Sequence, residues 1–313
     1  MQKWLRMNIH FSFVNKNFKL NILKSNVYKN FNNKNVIREY SSLNTNKYKP
    51  STFEFSERIL KNKENIGENI LTSNSDSASD ATNETFNMKI SFHSKIQISK
   101  DGYVLRFIVP EESSSSKFKT CRYVYLEGIL TKTGEVMKRP YHPISLDTDK
   151  GFIDIFIKVY EKNPREKFGI FSNYLANLQE GQVITLYGTY GHMEYKGIGK
   201  FSIIKDKSEI EKKVKKIGMI AGGSGIAPMF QLIQKITSSR RDNTAISIIY
   251  CIKNIEEMSF GEDLIKLDRK GKISFYPVVE NVDSTDWMFG KGKVNEDMIF
   301  NYMPDPRGNL LFI

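Results

Sequence analysis

Four short stretches hold residue types that could do chemistry together. The most telling runs Ile217-Gly218-Met219-Ile220-Ala221-Gly222-Gly223-Ser224-Gly225-Ile226-Ala227-Pro228-Met229. An apolar run passes into glycines, then into an apolar-periodic stretch with a proline near its start. Glycines at Gly222, Gly223 and Gly225 let backbone approach a phosphate closely, and Ser224 adds a hydroxyl. Pro228 falls in the first turn of the expected helix, where a missing N–H costs nothing. No Gly-Lys-Ser/Thr follows, so this is not a P-loop, and the spacing also differs from G-x-G-x-x-G. The chemistry implied is the binding of a nucleotide pyrophosphate.

A second stretch reads Arg139-Pro140-Tyr141-His142-Pro143-Ile144-Ser145. On a strand, alternate side chains share a face, so Arg139 and Tyr141 converge. A cation for a pyrophosphate, a ring to lie against a flat heterocycle and a nearby polar group are what a flavin dinucleotide needs. An edge strand ended by prolines would leave the same trace. The third stretch, Gly151-Phe152-Ile153-Asp154-Ile155-Phe156-Ile157-Lys158-Val159-Tyr160, is strand-like, and its lysine must reach an anion or solvent. The fourth, Phe168-Gly169-Ile170-Phe171-Ser172-Asn173-Tyr174-Leu175, is a glycine turn leading into a helix. Free N–H groups and the Ser172 hydroxyl there suit a pyrophosphate, or simply cap the helix.

Taken in order, these stretches resemble the NADH-cytochrome b5 reductase family of the ferredoxin reductase-like flavoproteins. Those enzymes read Arg-Pro-Tyr-Thr-Pro-Ile-Ser, then a Gly-Tyr/Phe-Val-Asp-Leu-Val-Ile-Lys-Val-Tyr strand. A Gly-Gly-Lys-Met-Ser-Gln-Tyr-Leu turn and a Gly-Met-Ile-Ala-Gly-Gly-Thr-Gly-Ile-Thr-Pro-Met loop follow. The resemblance extends from about Lys89 to Ile313 and includes Gly292-Lys293-Val294-Asn295-Glu296-Asp297-Met298-Ile299. It implies FAD held by Arg139, Pro140, Tyr141 and His142, by the strand Ile157-Lys158-Val159-Tyr160, and by Gly169, Phe171 and Ser172. It implies NADH, rather than NADPH, on Gly222, Gly223, Ser224, Gly225 and Pro228, with Lys158 turned toward the dinucleotide. Tyr141 and His142 are the residues expected nearest the chemistry. His142 replaces the usual Thr, so that hydroxyl is not carried over. Phe168 and Ile170 replace a Gly and a Lys, and Ala227 replaces the second Thr of the loop.

The elements that must position these residues follow from pattern. Alternation over Lys89–Ser99 and β-rich runs at Tyr103–Pro110, Tyr123–Leu130, Phe152–Tyr160 and Val183–Thr189 predict a small antiparallel barrel, broken by a helix near Phe171–Leu178. From Lys216 the texture becomes strand, helix (Ile226–Thr237), strand (Ala245–Ile252), helix (Glu256–Lys270), strand (Lys272–Val279). That order predicts a doubly wound parallel sheet. The fold expected is therefore β plus α/β: a FAD-binding barrel domain over 86–210 and an NAD-binding domain over 211–313, preceded by a linker over 41–85 whose last part, 72–85, is small and polar. An acid following the second or third parallel strand would take a ribose hydroxyl, and Glu280 is the nearest candidate.

Charge narrows the alternatives. The chain carries 47 Lys and Arg against 35 Asp and Glu, a net charge of +12. Residues 1–38 hold eight of those cations and no acid, so most of the excess belongs to the N-terminus. Nothing resembles a nucleic-acid-binding motif. The segment 1–40 reads instead as a mitochondrial targeting sequence, with Arg38-Glu39-Tyr40-Ser41 resembling a matrix processing site; a disordered Asn/Lys-rich extension of a cytosolic or membrane-associated protein would have the same composition. Two cysteines, Cys121 and Cys251, exclude a disulfide framework and a zinc site. No run of 18 apolar residues predicts an integral membrane span.

The resemblance further implies a monomer that reduces cytochrome b5 or another small haem acceptor. An acidic acceptor face could meet Lys212, Lys213, Lys215 and Lys216, or those lysines could simply be solvated. The family continues beyond the strand Leu310–Ile313 into a Cys-Gly turn and a last helix. The sequence stops at Ile313, which we read as a record short of the family's end. A reductase-like protein that has lost catalysis and serves as a nucleotide-binding or interaction module is the alternative.

Overall fold

The computed structural model describes residues 86–110, 117–130, 133–160, 169–205, 208–282, 287–307 and 309–313. All of them lie in one compact unit. The expected targeting segment, the linker over 41–85 and Phe168 lie outside the described residues.

Six antiparallel strands build the first sheet: β1 (Phe86–Gln97), β2 (Gly102–Ile108), β3 (Tyr123–Ile129), β4 (Val136–Tyr141), β5 (Phe152–Lys158) and β6 (Val183–Tyr190). Their spatial order is β4-β3-β6-β1-β2-β5. The two edge strands would be left unpaired, but the chain beyond β4 turns back onto β5. Pro143 bridges Ile155, and the Ile144 N–H donates to the Asp154 carbonyl at 2.8 Å. That contact closes the sheet toward the barrel expected from the sequence. Alternation explains the core. Val124 and Leu126 of β3 face inward with Ile153, Ile155 and Ile157 of β5 and Leu186 of β6, all essentially inaccessible. Helix α1 (Ile170–Ala176) seals one end of this core with Phe171 and Leu175.

A three-stranded antiparallel sheet, β7 (Met193–Gly197), β8 (Lys200–Lys205) and β9 (Ser208–Lys213), links the halves. Sequence patterning missed β9, because all six of its residues are exposed and no apolar face marks it.

The second half is a parallel sheet of order β13-β12-β11-β10-β14, comprising β10 (Lys216–Gly222), β11 (Ala245–Ile252), β12 (Ser274–Val279), β13 (Gly290–Lys291) and β14 (Leu310–Phe312). The chain starts at β10, proceeds outward through β11 to β13, and returns to place β14 on the other side of β10. The order reverses at β10, so a binding crevice belongs at its carboxyl end. Helix α2 (Ile226–Ser238) buries Ile226, Phe230, Ile233 and Ile236 on a helical period. Helix α3 (Gly261–Arg269) starts later than the expected Glu256. Ile255–Glu257 forms a separate 3₁₀ turn, and Phe260 takes a positive φ of 60°, which breaks any continuous helix. Helix α4 (Glu296–Tyr302) is capped by the Asn295 side chain, which accepts the Met298 N–H. Among the described residues no helix is long and apolar enough to cross a membrane.

The halves meet through aromatic packing. Phe156 of β5 lies 5.0 Å edge-on to Phe260, which stacks on Phe230 of α2 at 4.1 Å. Beside them the Ser99 and Ser259 hydroxyls share a hydrogen bond of 2.8 Å.

Candidate active site

The Arg139–Tyr141 stretch forms the end of β4. Arg139 is exposed, and one guanidinium nitrogen donates to the Lys138 carbonyl at 2.8 Å. Tyr141 packs against the barrel core, its ring 6.3 Å from that of Phe171. Burial pushes the Tyr141 phenol well above its ordinary value, so it stays protonated. Pro140 is exposed beside Arg139. One strand end and the start of α1 therefore supply a cation and a held ring, as the sequence pattern requires.

Ser172 is buried, and its hydroxyl is used internally. It donates to the Gly169 carbonyl at 3.1 Å and accepts the Tyr160 N–H at 3.5 Å. Asn173, which the sequence reading passed over, donates to the carbonyls of Tyr160 and Gly169, both at 2.8 Å. Gly169 has a left-handed φ of 71°, which glycine tolerates without strain. Ser172 and Asn173 thus tie the end of β5 to the start of α1. Ile157 turns its side chain into the core, leaving its backbone to the strand ladder, while Val159 is fixed by its N–H to the Asp101 carbonyl at 2.7 Å.

His142 faces the other way. Val124, the cross-strand partner of Tyr141, points into the core, and the next residue along β3, Tyr123, points out. The His142 ring lies 5.7 Å from that of Tyr123, which belongs to an outer cluster with Tyr125 and Tyr190. Burial pushes the imidazole down to about 4. The unfolded chain, with histidine near 6.5, binds more protons than the native protein between those values. Native stability should therefore fall as pH drops from about 6.5 to about 4, by on the order of 2–3 kcal/mol. Thermal unfolding of wild type and His142→Thr between pH 4.5 and 7 checks this. The variant should lose a large part of the acid sensitivity, and parallel pH curves would refute it.

The glycine loop lies at the carboxyl end of β10, at the switch point. A Cβ placed on Gly222, Gly223 or Gly225 would meet nothing within 4 Å, so the backbone is open to an approaching group. The 13-residue α2 begins at once, presenting its amino end, with Pro228 in the first turn. The loop meets the flavin side directly, since the Tyr160 and Ser224 hydroxyls lie 3.2 Å apart.

Lys158 is the residue whose surroundings the sequence did not reveal. Its ammonium contacts Glu257 at 2.6 Å and Asp101 at 3.1 Å. Burial works against its charge, but the two carboxylates outweigh burial and hold it above its ordinary value. Glu257 is held below its ordinary value, because Lys158 and Asn254 outweigh the cost of burying it. Asp101 goes the other way, with burial dominating. Glu257 has the shorter contact and is the closer counter-charge. Glu280 is exposed after β12, with its N–H on the Ile252 carbonyl at 2.9 Å.

Beneath the site lies a buried ion pair. Arg106 of β2 and Asp154 of β5 are direct cross-strand partners, joined by bonds of 2.7 and 2.6 Å. The guanidinium carbon also sits 3.8 Å above the Phe152 ring. An Arg and an Asp each set between apolar residues in the interior of a strand were the available signal.

A barrel with a cation and a held ring at its rim, facing a glycine loop at a parallel-sheet switch point, defines an oxidoreductase that uses a flavin and a nicotinamide dinucleotide. Family models agree: an oxidoreductase FAD-binding domain matches residues 89–195 and an oxidoreductase NAD-binding domain matches 219–312. NADH-cytochrome b5 reductase 3 of Mus musculus is 34% identical over 217 residues, covering 67% of this chain and 71% of that protein. NADH-cytochrome b5 reductase 2 of Gallus gallus is 34% identical over 226 residues, covering 70% and 73%. The cytochrome b5 reductase domain of Ulva prolifera nitrate reductase superposes with a TM-score of 0.64 at 24% identity, over 72% of this chain and 86% of that one. The chain belongs to the NADH-cytochrome b5 reductase family, and FAD and a nicotinamide dinucleotide are its cofactors.

Proposed function

We propose that this protein takes electrons from NADH and passes them singly to a small haem protein of the cytochrome b5 type. The observation that carries the reading is the contact of Tyr160 with Ser224, which brings the flavin rim and the nicotinamide loop edge to edge. FAD, held by the residues around Arg139, Tyr141 and Gly169, would supply the redox chemistry: a two-electron hydride acceptance from NADH with a proton from solvent, and a one-electron delivery to each of two acceptors, with two protons returned to solvent.

The chain's residues bind and orient. Arg139 offsets pyrophosphate charge, and its exposure leaves it accessible to a ligand. Tyr141, held against Phe171, presents a fixed ring face and a protonated hydroxyl. Ser172 and Asn173 act one step back, fixing the backbone at Tyr160. Gly222, Gly223 and Gly225 admit the phosphates of the dinucleotide, and the amino end of α2 favours their charge. The aromatic cluster of Phe156, Phe260 and Phe230 keeps water out of the junction behind the site.

Choice of NADH is supported by Glu257 rather than by Glu280. Glu257 follows the second parallel strand and is kept ionised beside Lys158. A carboxylate there can accept a ribose hydroxyl and repels a 2′-phosphate. Lys158 fixes the Glu257 carboxylate and would reach the dinucleotide only by exchanging a contact with Glu257 or Asp101.

A visible spectrum of the full-length chain supplied with FAD, before and after anaerobic NADH, tests the reading. Flavin absorbance should be retained through gel filtration, bleach on NADH and return when oxidised cytochrome b5 is added, with reduction of the haem. A folded protein that retains no flavin would defeat the reading. Bleaching that an iron–sulfur protein reverses, and cytochrome b5 does not, would change the acceptor.

A further inference from the structure

We infer that Gln231 is a positioning residue that sets the nicotinamide loop against the flavin rim. The inference deepens the reductase reading and rests on it. Helix α2 continues directly from the loop Gly223–Gly225. Its residues Gln231, Gln234 and Lys235 recur at helical spacing on one face. That face meets the segment following the Arg139–Tyr141 strand.

Gln231 is fully buried, at 0% exposure, and both ends of its amide are used across the boundary. Its Oε1 accepts the Cys121 N–H at 3.0 Å, and its Nε2 donates to the Ser145 carbonyl at 2.9 Å. Three residues on, Gln234 donates to the Ile144 carbonyl at 2.9 Å, and Lys235 pairs with Asp147. Ser145 is itself fixed, because its hydroxyl accepts the Asp154 N–H at 3.0 Å. A continuous path therefore runs from the flavin strand β5, through Ser145 and Gln231, along α2 to the glycine loop.

An apolar side chain would fill the same space without the cost of burying an amide. What it would lack is direction. The glutamine needs a donor on one side and an acceptor on the other, and leaving either unmet is costly. Only one seating of the helix satisfies both. Hydride transfer depends steeply on the separation and alignment of donor and acceptor, so this seating acts on the rate rather than on affinity.

The test compares wild type with Gln231→Met in the full-length chain supplied with FAD. Methionine keeps the volume and removes both hydrogen bonds. Flavin content, thermal stability, hydrogen exchange and the NADH dependence of anaerobic bleaching are measured, with 4-deuterated NADH to isolate the transfer step. We expect retained flavin, half-saturation within about threefold, a limiting rate lower by on the order of 10–100-fold, and faster exchange at the Cys121 amide and over 144–147. A limiting rate within about twofold of wild type, once Cys121 has lost protection, overturns the inference. So does a rate loss that merely follows flavin loss. If Gln231→Met does not fold, Gln234→Met removes a single half-buried donor. It should show the same split between rate and affinity at roughly 3–10-fold, and no split overturns the inference. Wild-type flavin that NADH fails to bleach would instead refute the reductase reading. Gln231 is then judged by exchange alone: faster exchange at both places upholds the tie, and a change confined to Cys121 overturns it.

Discussion

Arg139→Ala should yield a folded protein that loses its flavin during gel filtration. The guanidinium is exposed at the end of β4, and among the described residues it bonds to the carbonyl of its neighbour Lys138. Removing it leaves no buried partner unsatisfied, so stability without cofactor should change by less than about 0.5 kcal/mol. The loss falls on binding. A hydrogen bond from a charged group is worth about 1.5–3 kcal/mol, which corresponds to roughly 10–100-fold in affinity for FAD. Quenching of flavin fluorescence on titration with protein measures this. Arg139→Lys should recover part of the affinity, since it restores the charge without the two-pronged geometry. Equal affinity in wild type and Arg139→Ala would remove Arg139 from the flavin site.

The largest loss of stability should come from Arg106→Met. Arg106 is 1% exposed, and both of its bonds to Asp154 are buried on the face of the sheet opposite the barrel core, since Leu105, Phe107, Ile153 and Ile155 on either side turn into that core. Truncation would leave a buried carboxylate with its counter-charge gone, at a cost of about 3–5 kcal/mol. Burial already pushes Asp154 upward against the pull of Arg106, and losing Arg106 leaves burial and the neighbouring Asp149 charge unopposed. An acid whose folded value is raised binds its proton more tightly in the native state. The variant should therefore regain stability, relative to wild type, as pH falls. The pair Arg106→Met with Asp154→Leu should recover much of the loss, because well-packed apolar residues often replace a buried ion pair at little cost. Chemical denaturation of the three variants at two pH values decides the matter. A double variant no more stable than the single one would show that the pair does more than balance itself.

The parts of this site that were legible in the sequence are those whose demands are local. A phosphate approached by backbone needs glycines at set intervals, and Gly222, Gly223 and Gly225 carry that demand within four residues. Arg139 and Tyr141 need only strand alternation to share a side. Lys158 announced an anion but not which one. Glu257 lies 99 residues away and reaches it only after the two halves dock. Gln231 was hidden for the same reason. It reads as an ordinary polar position in an amphipathic helix, and its partner Cys121 is 110 residues distant. Ser172 was legible as a polar helix start, but the choice between a ligand and the Gly169 and Tyr160 backbone depends on where β5 ends. The late start of α3 depends on the backbone of Phe260, which apolar periodicity does not encode. His142 was singled out for replacing a threonine, while its neighbour Tyr123 comes from another strand.

The strand order also sets a timetable for the nascent chain. Every strand of the six-stranded sheet lies between Phe86 and Tyr190, so that sheet waits on nothing made later. Strand β10, by contrast, has β14 as one of its two neighbours and lacks that side until Leu310–Phe312 has been synthesised. The flavin half can thus mature on the ribosome while the nicotinamide half is still growing. Its exposed junction, where Phe156 and the Ile144–Asp147 segment await α2, is the surface that a chaperone would meet in the interval.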